Sequence, residues 1–248
     1  LQEPEGRGGS QLMHRIFEPG RRVFVSKPIN HFELEPSAKL SLLFGGGIGV
    51  TPMLAFAHEL HRKGGRFRLM YSASQKSKAA FDGAFDGLAW ADRVSRHYSD
   101  QGMRLDIARD VPAYDAGTHI YVCGPDAYMS AILDHARSIG YPEAALHAEF
   151  FTVPELPEWE NHPFEIERAN GQKIPVTATQ SASDALIAAG IPVDVKCADG
   201  LCGVCKCTVL SGEVEHRDFV LSAAQRETTV ILCQSRAAEA GGMLKLDI

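Results

Sequence analysis

The chain has 248 residues, 45% hydrophobic and 23% charged, which suits one large or two modest globular domains. A formal net charge of −6 argues against nucleic acid or an anionic membrane as the main partner. No run approaches the roughly 18 apolar residues of a membrane span, and LQEPEGRGGS lacks the apolar core of a secretory signal, so a cytoplasmic protein is expected.

In chain order, GRGGSQLMH (6–14) is a glycine-rich segment, and RVFVSK (22–27) reads as a short strand. The apolar run LSLLF (40–44) ends abruptly in GGGIGVTP (45–52). A helical pattern follows at Met53, Leu54, Ala57 and Leu60 and closes near Gly64-Gly65. FRLMYSA (67–73) and HIYVCGP (119–125) read as strands. Tyr128, Met129, Ile132, Leu133 and Ala136 then repeat at helical spacing up to Gly140, and ALHAEFF (145–151) is a last strand. Strands alternating with helices predict a doubly wound parallel α/β sheet over 39–151.

TVPELPEWENHP (152–163), with three prolines, reads as an interdomain linker. Beyond it, 164–248 predicts a small α+β domain. PFEIER and KIPVTAT flank Asn170-Gly171, a strong hairpin signal. Ser181 followed by Asp184 approximates a capping box, with Gly190 as the helix stop. KCTVLSGEVEH predicts a second hairpin turning at Ser211-Gly212, and VILCQSRA and LKLDI are further short strands.

Two constellations carry chemistry. Cys197-x4-Cys202-x2-Cys205, then 27 residues, then Cys233, is the plant-type ferredoxin spacing for a [2Fe-2S] cluster. Two bridged irons need four thiolates from a loop whose N–H groups point at sulfur, and Gly200 and Gly203 permit that backbone. Cys207 falls inside a strand pattern and is expected to be core. The alternatives are buried free thiols or a four-thiolate zinc site, and zinc usually takes two short Cys-x2–4-Cys pairs where this chain has one. The second constellation is the loop after LSLLF. Gly45, Gly46, Gly47 and Gly49 let backbone approach a pyrophosphate at a helix N-terminus, with Thr51 as N-cap and phosphate donor beside Pro52. A tight structural turn is the alternative. Cys123-Gly124-Pro125 ends a strand, where open α/β sheets bind ligands.

CADGLCGVC…HRDFVLS…VILCQSR resembles the C-terminal ferredoxin domain of the phthalate dioxygenase reductase family, and the likeness extends over nearly the whole chain. Members carry flavin, nicotinamide and [2Fe-2S] domains in that order, and similar modules are fused to some haem-thiolate monooxygenases. The resemblance implies a β-grasp ferredoxin domain. It implies that GGxGxTP lines the pyridine nucleotide, that Cys123 lies beside the nicotinamide, that Phe151 covers the flavin ring, and that Glu149 is a polar neighbour of the reacting centre. GRGGSQLMH resembles the family's flavin-phosphate segment, with Gly8, Gly9 and Ser10 facing the phosphate of FMN, and SKPINHF (26–32) resembles its barrel exit. The family's arginine-containing flavin motif does not occur in the sequence. Residues 1–38 are too few to close a β-barrel, so a remnant of the flavin barrel is expected there.

The resemblance therefore implies a reductase passing electrons from NADH or NADPH, via FMN, to the cluster and on to a terminal oxygenase, either a Rieske enzyme or a fused haem-thiolate monooxygenase. A hydride carries two electrons and the cluster takes one, so a flavin must join them. No acidic residue stands at YSASQKSK (71–78) to hold ribose hydroxyls; Lys76 and Lys78 are candidates to meet a 2′-phosphate, with solvated loop lysines as the alternative, and the resemblance leans towards NADH. A non-enzymatic electron carrier and a zinc-stabilised binding module are the rival readings.

Overall fold

The computed structural model describes residues 8–25, 27–28, 30–151 and 159–248. Most of the expected linker lies outside the described residues, as do residues 6 and 7 of GRGGSQLMH and Ser26 and Ile29 of SKPINHF. The chain divides into two compact units, residues 1–30 and 31–248.

In the first unit, Gly8 adopts a left-handed conformation (φ 78°) and opens helix α1, Gly9–Ile16. The expected strand at 22–27 is not formed among its described residues: Phe24 is 98% exposed and Val25 85%. β-propensity alone does not make a strand, because the backbone must find a ladder partner.

The second unit begins its first sheet with β1, Leu40–Gly46, followed by a single 3-10 turn and helix α2, Val50–Lys63. Gly64 at φ 72° caps α2 as expected. β2 (Phe67–Ala73) and β3 (Val94–Tyr98) follow, then the short α3 (Ile107–Asp110), β4 (Thr118–Cys123), α4 (Asp126–Ser138) and β5 (Leu146–Glu149). All strands are parallel, in the order β3-β2-β1-β4-β5. The apolar run in β1 has no alternation because both faces are covered. Leu43 packs with Val50, Met53, Phe56 and Ala57 of α2, while Leu42 and Phe44 pack with Met129, Ile132 and Ala136 of α4. The order reverses between β1 and β4, so a crevice opens at the carboxyl ends of those two strands. β3, VSRHY, was not predicted. As an edge strand it has one neighbour, and its exposed side tolerates serine and arginine.

The second sheet is built from β6 (Phe164–Arg168), β7 (Lys173–Val176), then helix α5 (Ala182–Ala188), and β8 (Lys206–Ser211). β9 (Val214–Glu215) and β11 (Arg236–Ala237) form a small two-stranded sheet of their own, and after helix α6 (Ala223–Arg226) the strands β10 (Thr229–Ile231) and β12 (Met243–Leu246) complete the second sheet. Its order is β10-β8-β12-β6-β7, with β6 and β12 parallel and the other pairs antiparallel. The β6–β7 hairpin turns at Asn170-Gly171 as expected, Gly171 at φ 84°. Ser181 and Asp184 form the predicted capping box, and α5 lays Ala182, Ala185 and Leu186 across the sheet. The second hairpin is not a paired one. The chain does turn at Gly212, but β8 pairs with β10 and β12, and β9 pairs with β11.

Two buried arginines fasten the chain entering this sheet. Arg236 donates to the carbonyls of His162, Thr177 and Gln180, each at 2.8 Å, and lies over the Phe164 ring. Arg217 donates to Asn161 and to the Glu160 carbonyl, pairs with Glu215 and lies 4.9 Å from the Trp159 ring centre. No helix among the described residues is long and apolar enough to cross a membrane.

Candidate functional site

The cysteine loop runs from the end of α5 into β8. Cys197 and Cys202 lie on the loop, Cys205 just before β8, and Cys233 in the tight turn after β10 rather than on the expected strand. No disulfide joins any two of the six cysteines, all of which lie among the described residues. The four fall into two pairs in contact, Cys197 with Cys202 and Cys205 with Cys233. A single tetrahedral ion asks for one quartet around one point, whereas two bridged irons ask for two thiolates each.

The backbone around the loop points donors at sulfur. The Asp199 N–H reaches the Cys197 sulfur at 3.3 Å, joined by the N–H groups of Leu201 and Cys202. Those of Leu232 and Cys233 point at Cys205, and that of Gly200 at Cys233. Burial raises the Cys197 thiol, but these donors outweigh it and the thiol lies below its ordinary range. Within the second pair, Cys233 donates to Cys205, which lowers Cys205 and raises Cys233. Such a nest of N–H groups fits an anionic iron–sulfur centre. Cys207 stands apart on β8, its thiol directed at the Thr208 and Asp247 carbonyls and raised first by burial.

The loop needs unusual backbone. Gly200 (φ 74°) and Gly203 (φ 64°) are left-handed as expected, and so is Ala198 (φ 61°), which was not. The Gln234 amide donates to the Ala198 carbonyl at 2.7 Å and holds that residue in place. Asp218 also escaped prediction. Its carboxylate accepts the Val220 and Leu221 N–H groups, its carbonyl accepts Arg226, and the neighbouring Phe219 N–H closes on the Gly200 carbonyl at 3.2 Å. The loop does not face solvent alone. A Cβ at Gly203 would stand 3.0 Å from the His31 ring, and Phe219 packs on Phe150 with ring centres 5.3 Å apart.

At the crevice of the first sheet, Cys123 lies opposite Gly45 on one side and Glu149 on the other. The glycines divide by role. A Cβ at Gly49 would come within 2.2 Å of the Cys123 carbonyl oxygen, so this glycine lets the β1 and β4 turns cross. Gly45 is filled by Val50, and Gly46 by Tyr128 and Pro125, so both are packing glycines. Gly47 (φ 55°) has nothing within 4 Å and faces open space. Thr51 is not the N-cap. Gly49 takes that place, Pro52 sits in the first turn, and the Thr51 hydroxyl donates to the Ile48 carbonyl at 2.9 Å. Gly124 bends the chain and Pro125 is the N-cap of α4. Burial, with Glu149 second, pushes the Cys123 thiol up to about 12, so it stays neutral, and burial also raises the Glu149 carboxyl.

Gly49→Ala is therefore expected to lower the stability of this sheet by about 3 kcal/mol, the upper range for overpacking, while leaving a bound iron–sulfur chromophore unchanged. Thermal unfolding followed in parallel by peptide and visible absorbance checks it. Gly47→Ala, strained only through its φ, is expected to cost about 1 kcal/mol.

Among the remaining predicted residues, Gly8 and Gly9 open α1, with nothing within 4 Å of either Cβ position, and Ser10 lies in the first turn. Phe151 follows β5 and is 49% exposed, while its neighbour Phe150 packs against the core of the first sheet.

A family described as 2Fe-2S iron-sulfur cluster binding domain matches residues 165–238. The vanillate O-demethylase oxidoreductase of Pseudomonas sp. (strain HR199 / DSM 7063) is 39% identical over 252 residues, covering 99% of this chain and 79% of its own. Among solved structures, phthalate dioxygenase reductase, described as a modular structure for electron transfer from pyridine nucleotides to [2Fe-2S], is 34% identical with TM-score 0.62. It covers 99% of this chain, which spans 77% of that one. An intact type IV self-sufficient cytochrome P450 monooxygenase is 34% identical with TM-score 0.89. It covers all of this chain, which spans only 32% of that one.

Proposed function

The chain belongs to the phthalate dioxygenase reductase family, the electron-transfer reductases of oxygenase systems, and on that premise we propose which of its residues carry the electrons. Cys197, Cys202, Cys205 and Cys233 hold the [2Fe-2S] cluster. The loop Gly45–Pro52, with Cys123-Gly124-Pro125, seats the nicotinamide dinucleotide. Gly8, Gly9 and Ser10 take the phosphate of FMN, and Phe151 covers the flavin ring. The division is residues 1–38 for the flavin segment, 39–151 for the nucleotide, 152–163 as linker and 164–248 for the cluster. The electrons leave for a terminal oxygenase, of Rieske or haem-thiolate type, and a cysteine set given over to a cluster rather than to disulfides favours the cytoplasm.

When bound, flavin accepts a hydride pair and an iron–sulfur cluster passes single electrons, so the two together join a nicotinamide to a one-electron acceptor. The protein contributes position and electrostatics. Gly47 leaves room for a pyrophosphate at the start of α2, where the helix dipole favours anions. Cys123, neutral and buried, presents a small soft surface at the end of β4 and neither donates nor withdraws a full charge. The N–H groups around Cys197 and Cys205 stabilise negative charge on sulfur.

The observation that carries this reading is the direction of the cysteine loop. Phe219, bonded to Gly200, packs on Phe150 at the end of β5, and His31 lies on Gly203. The cluster loop thus abuts the strand end that carries Glu149, across from Cys123. Anaerobic NADH added to FMN-supplemented protein is expected to bleach the visible cluster absorbance and produce the paramagnetic signal of a one-electron-reduced cluster. Oxidation of NADH with the cluster left unchanged contradicts the reading.

A further inference from the structure

We propose that the buried carboxylate of Asp218 lowers the reduction potential of the [2Fe-2S] cluster and so keeps the reduced protein a strong one-electron donor. The inference rests on the assignment of Cys197, Cys202, Cys205 and Cys233 as the ligands. Residues 217–219 are wedged between the cysteine loop and the turn that carries Cys233. A Cβ at Gly200 would stand 3.3 Å from the Asp218 Cα and 3.4 Å from the Arg217 carbonyl oxygen, and the Phe219 N–H closes on the Gly200 carbonyl. On the other side the Arg217 N–H donates to the Ser235 hydroxyl at 3.2 Å, two residues beyond Cys233. The Gly200 N–H is directed at the Cys233 sulfur, so Asp218 stands behind a donor to the fourth thiolate.

The charge there is under-compensated. The Asp218 side chain has no exposed surface. Its Oδ2 accepts the Val220 and Leu221 N–H groups at 3.3 and 2.9 Å, whereas Oδ1 has no hydrogen-bond partner among the described residues. Two backbone donors in a turn are served equally well by an uncharged serine or asparagine, so the turn alone does not call for a buried charge. A buried carboxylate with an oxygen left unpaired costs stability, and such a group asks for a role beyond packing. A fixed negative charge beside a centre that gains an electron disfavours the reduced form, and burial keeps water from screening it.

The neighbouring cations do not cancel it. Arg226, at the end of α6, comes within 3.8 Å of Oδ2, but its side chain is 40% exposed and its hydrogen bond goes to the Asp218 carbonyl at 2.7 Å. The Arg217 guanidinium turns away to Glu215 and Asn161. His216 brings Nδ1 to 3.4 Å from Oδ1 without a hydrogen bond, while its Nε2 lies 3.1 Å from the Arg226 carbonyl. A carbonyl only accepts, so in the neutral ring Nε2 carries the proton and Nδ1 is an acceptor facing an acceptor.

Spectroelectrochemical titration of the cluster-loaded chain tests it, with the midpoint read from the visible band and from the paramagnetic signal of the reduced cluster. In Asp218→Asn the amide oxygen accepts the Val220 and Leu221 N–H groups and the amide NH2 faces the His216 Nδ1, so the turn is kept and the charge is lost. Its oxidised spectrum is expected to match the native one. Its reduction equilibrium is expected to move about tenfold toward the reduced form, a rise of about 59 mV for a one-electron couple. Asp218→Ser, which caps the same turn without charge, should move in the same direction. Arg226→Gln removes the cation beside Oδ2 and should lower the midpoint, by a smaller factor because that guanidinium is partly exposed. Opposite movement marks charge, whereas movement of all three variants in one direction marks loosening of the turn and overturns the inference. An unchanged or lowered midpoint in the Asp218 variants, or loss of the cluster from both, makes Asp218 a brace only and overturns it too, with the ligand assignment left standing. Native protein that takes up no cluster from iron and sulfide removes the ligand assignment itself and this inference with it.

Discussion

Cys233→Ser protein is expected to lose nearly all of its visible iron–sulfur absorbance and its iron, while Cys207→Ser protein keeps both. Position in the chain does not separate these two residues, since Cys207 lies only two residues after Cys205 and Cys233 is remote. The fold separates them. Cys233 sits in the turn after β10, in contact with Cys205 and with the Gly200 N–H directed at its sulfur. A serine hydroxyl there is a hard, poorly ionised donor for an iron that binds soft thiolate, and one iron would keep only a single cysteine of its pair. Cys207 is buried on β8 and directed at two carbonyls, which a serine hydroxyl can satisfy as well. The expected cost of Cys207→Ser is about 1 kcal/mol in stability, with an unchanged spectrum. Iron content and absorbance of the two purified variants decide the matter. Bleaching in Cys207→Ser, with colour retained in Cys233→Ser, would mean that the fourth ligand has been misassigned.

What was legible in the sequence was local. β1 shows itself because a strand covered on both faces must be apolar at every position, and the break into glycine marks its end. Ser181 and Asp184 declare the start of α5 because a capping box spans only four residues. Three of the four candidate ligands lie on one loop, and their spacing is set by that loop. The unread parts depend on contacts far apart in sequence. β3 lacks a clean pattern because its edge position does not require one. β9 looks like half of a hairpin with β8, yet pairs with β11. Arg217 and Arg236 carry no local signal, and only the folded chain brings them carbonyls from 56 to 74 positions away.

Protein stripped of flavin is expected to keep its cluster oxidised under excess NADH and to be reduced by dithionite within mixing time. The argument is electron counting. NADH gives two electrons as a hydride and is a poor one-electron donor, whereas the cluster accepts one. Among the described residues, no side chain at the crevice bridges that mismatch. Cys123 is neutral, its thiol held up to about 12 by burial, and Glu149 is a carboxyl raised by burial, so neither stores an electron. Dithionite supplies single electrons and bypasses the nucleotide crevice altogether. Addition of FMN with the flavin segment in place should restore reduction by NADH, and Phe151→Ala, which removes a half-exposed ring beyond β5, should weaken that restoration without altering the dithionite reaction. Phosphate contacts alone give little affinity, so the ring contact is where the larger loss is expected. Stopped-flow absorbance with NADH and dithionite as parallel reductants separates the outcomes. Rapid reduction by NADH in protein shown by fluorescence to hold no flavin would mean that electrons reach the cluster directly from the nicotinamide crevice. The contact of Phe150 with Phe219 would then be the route rather than the brace of the cysteine loop.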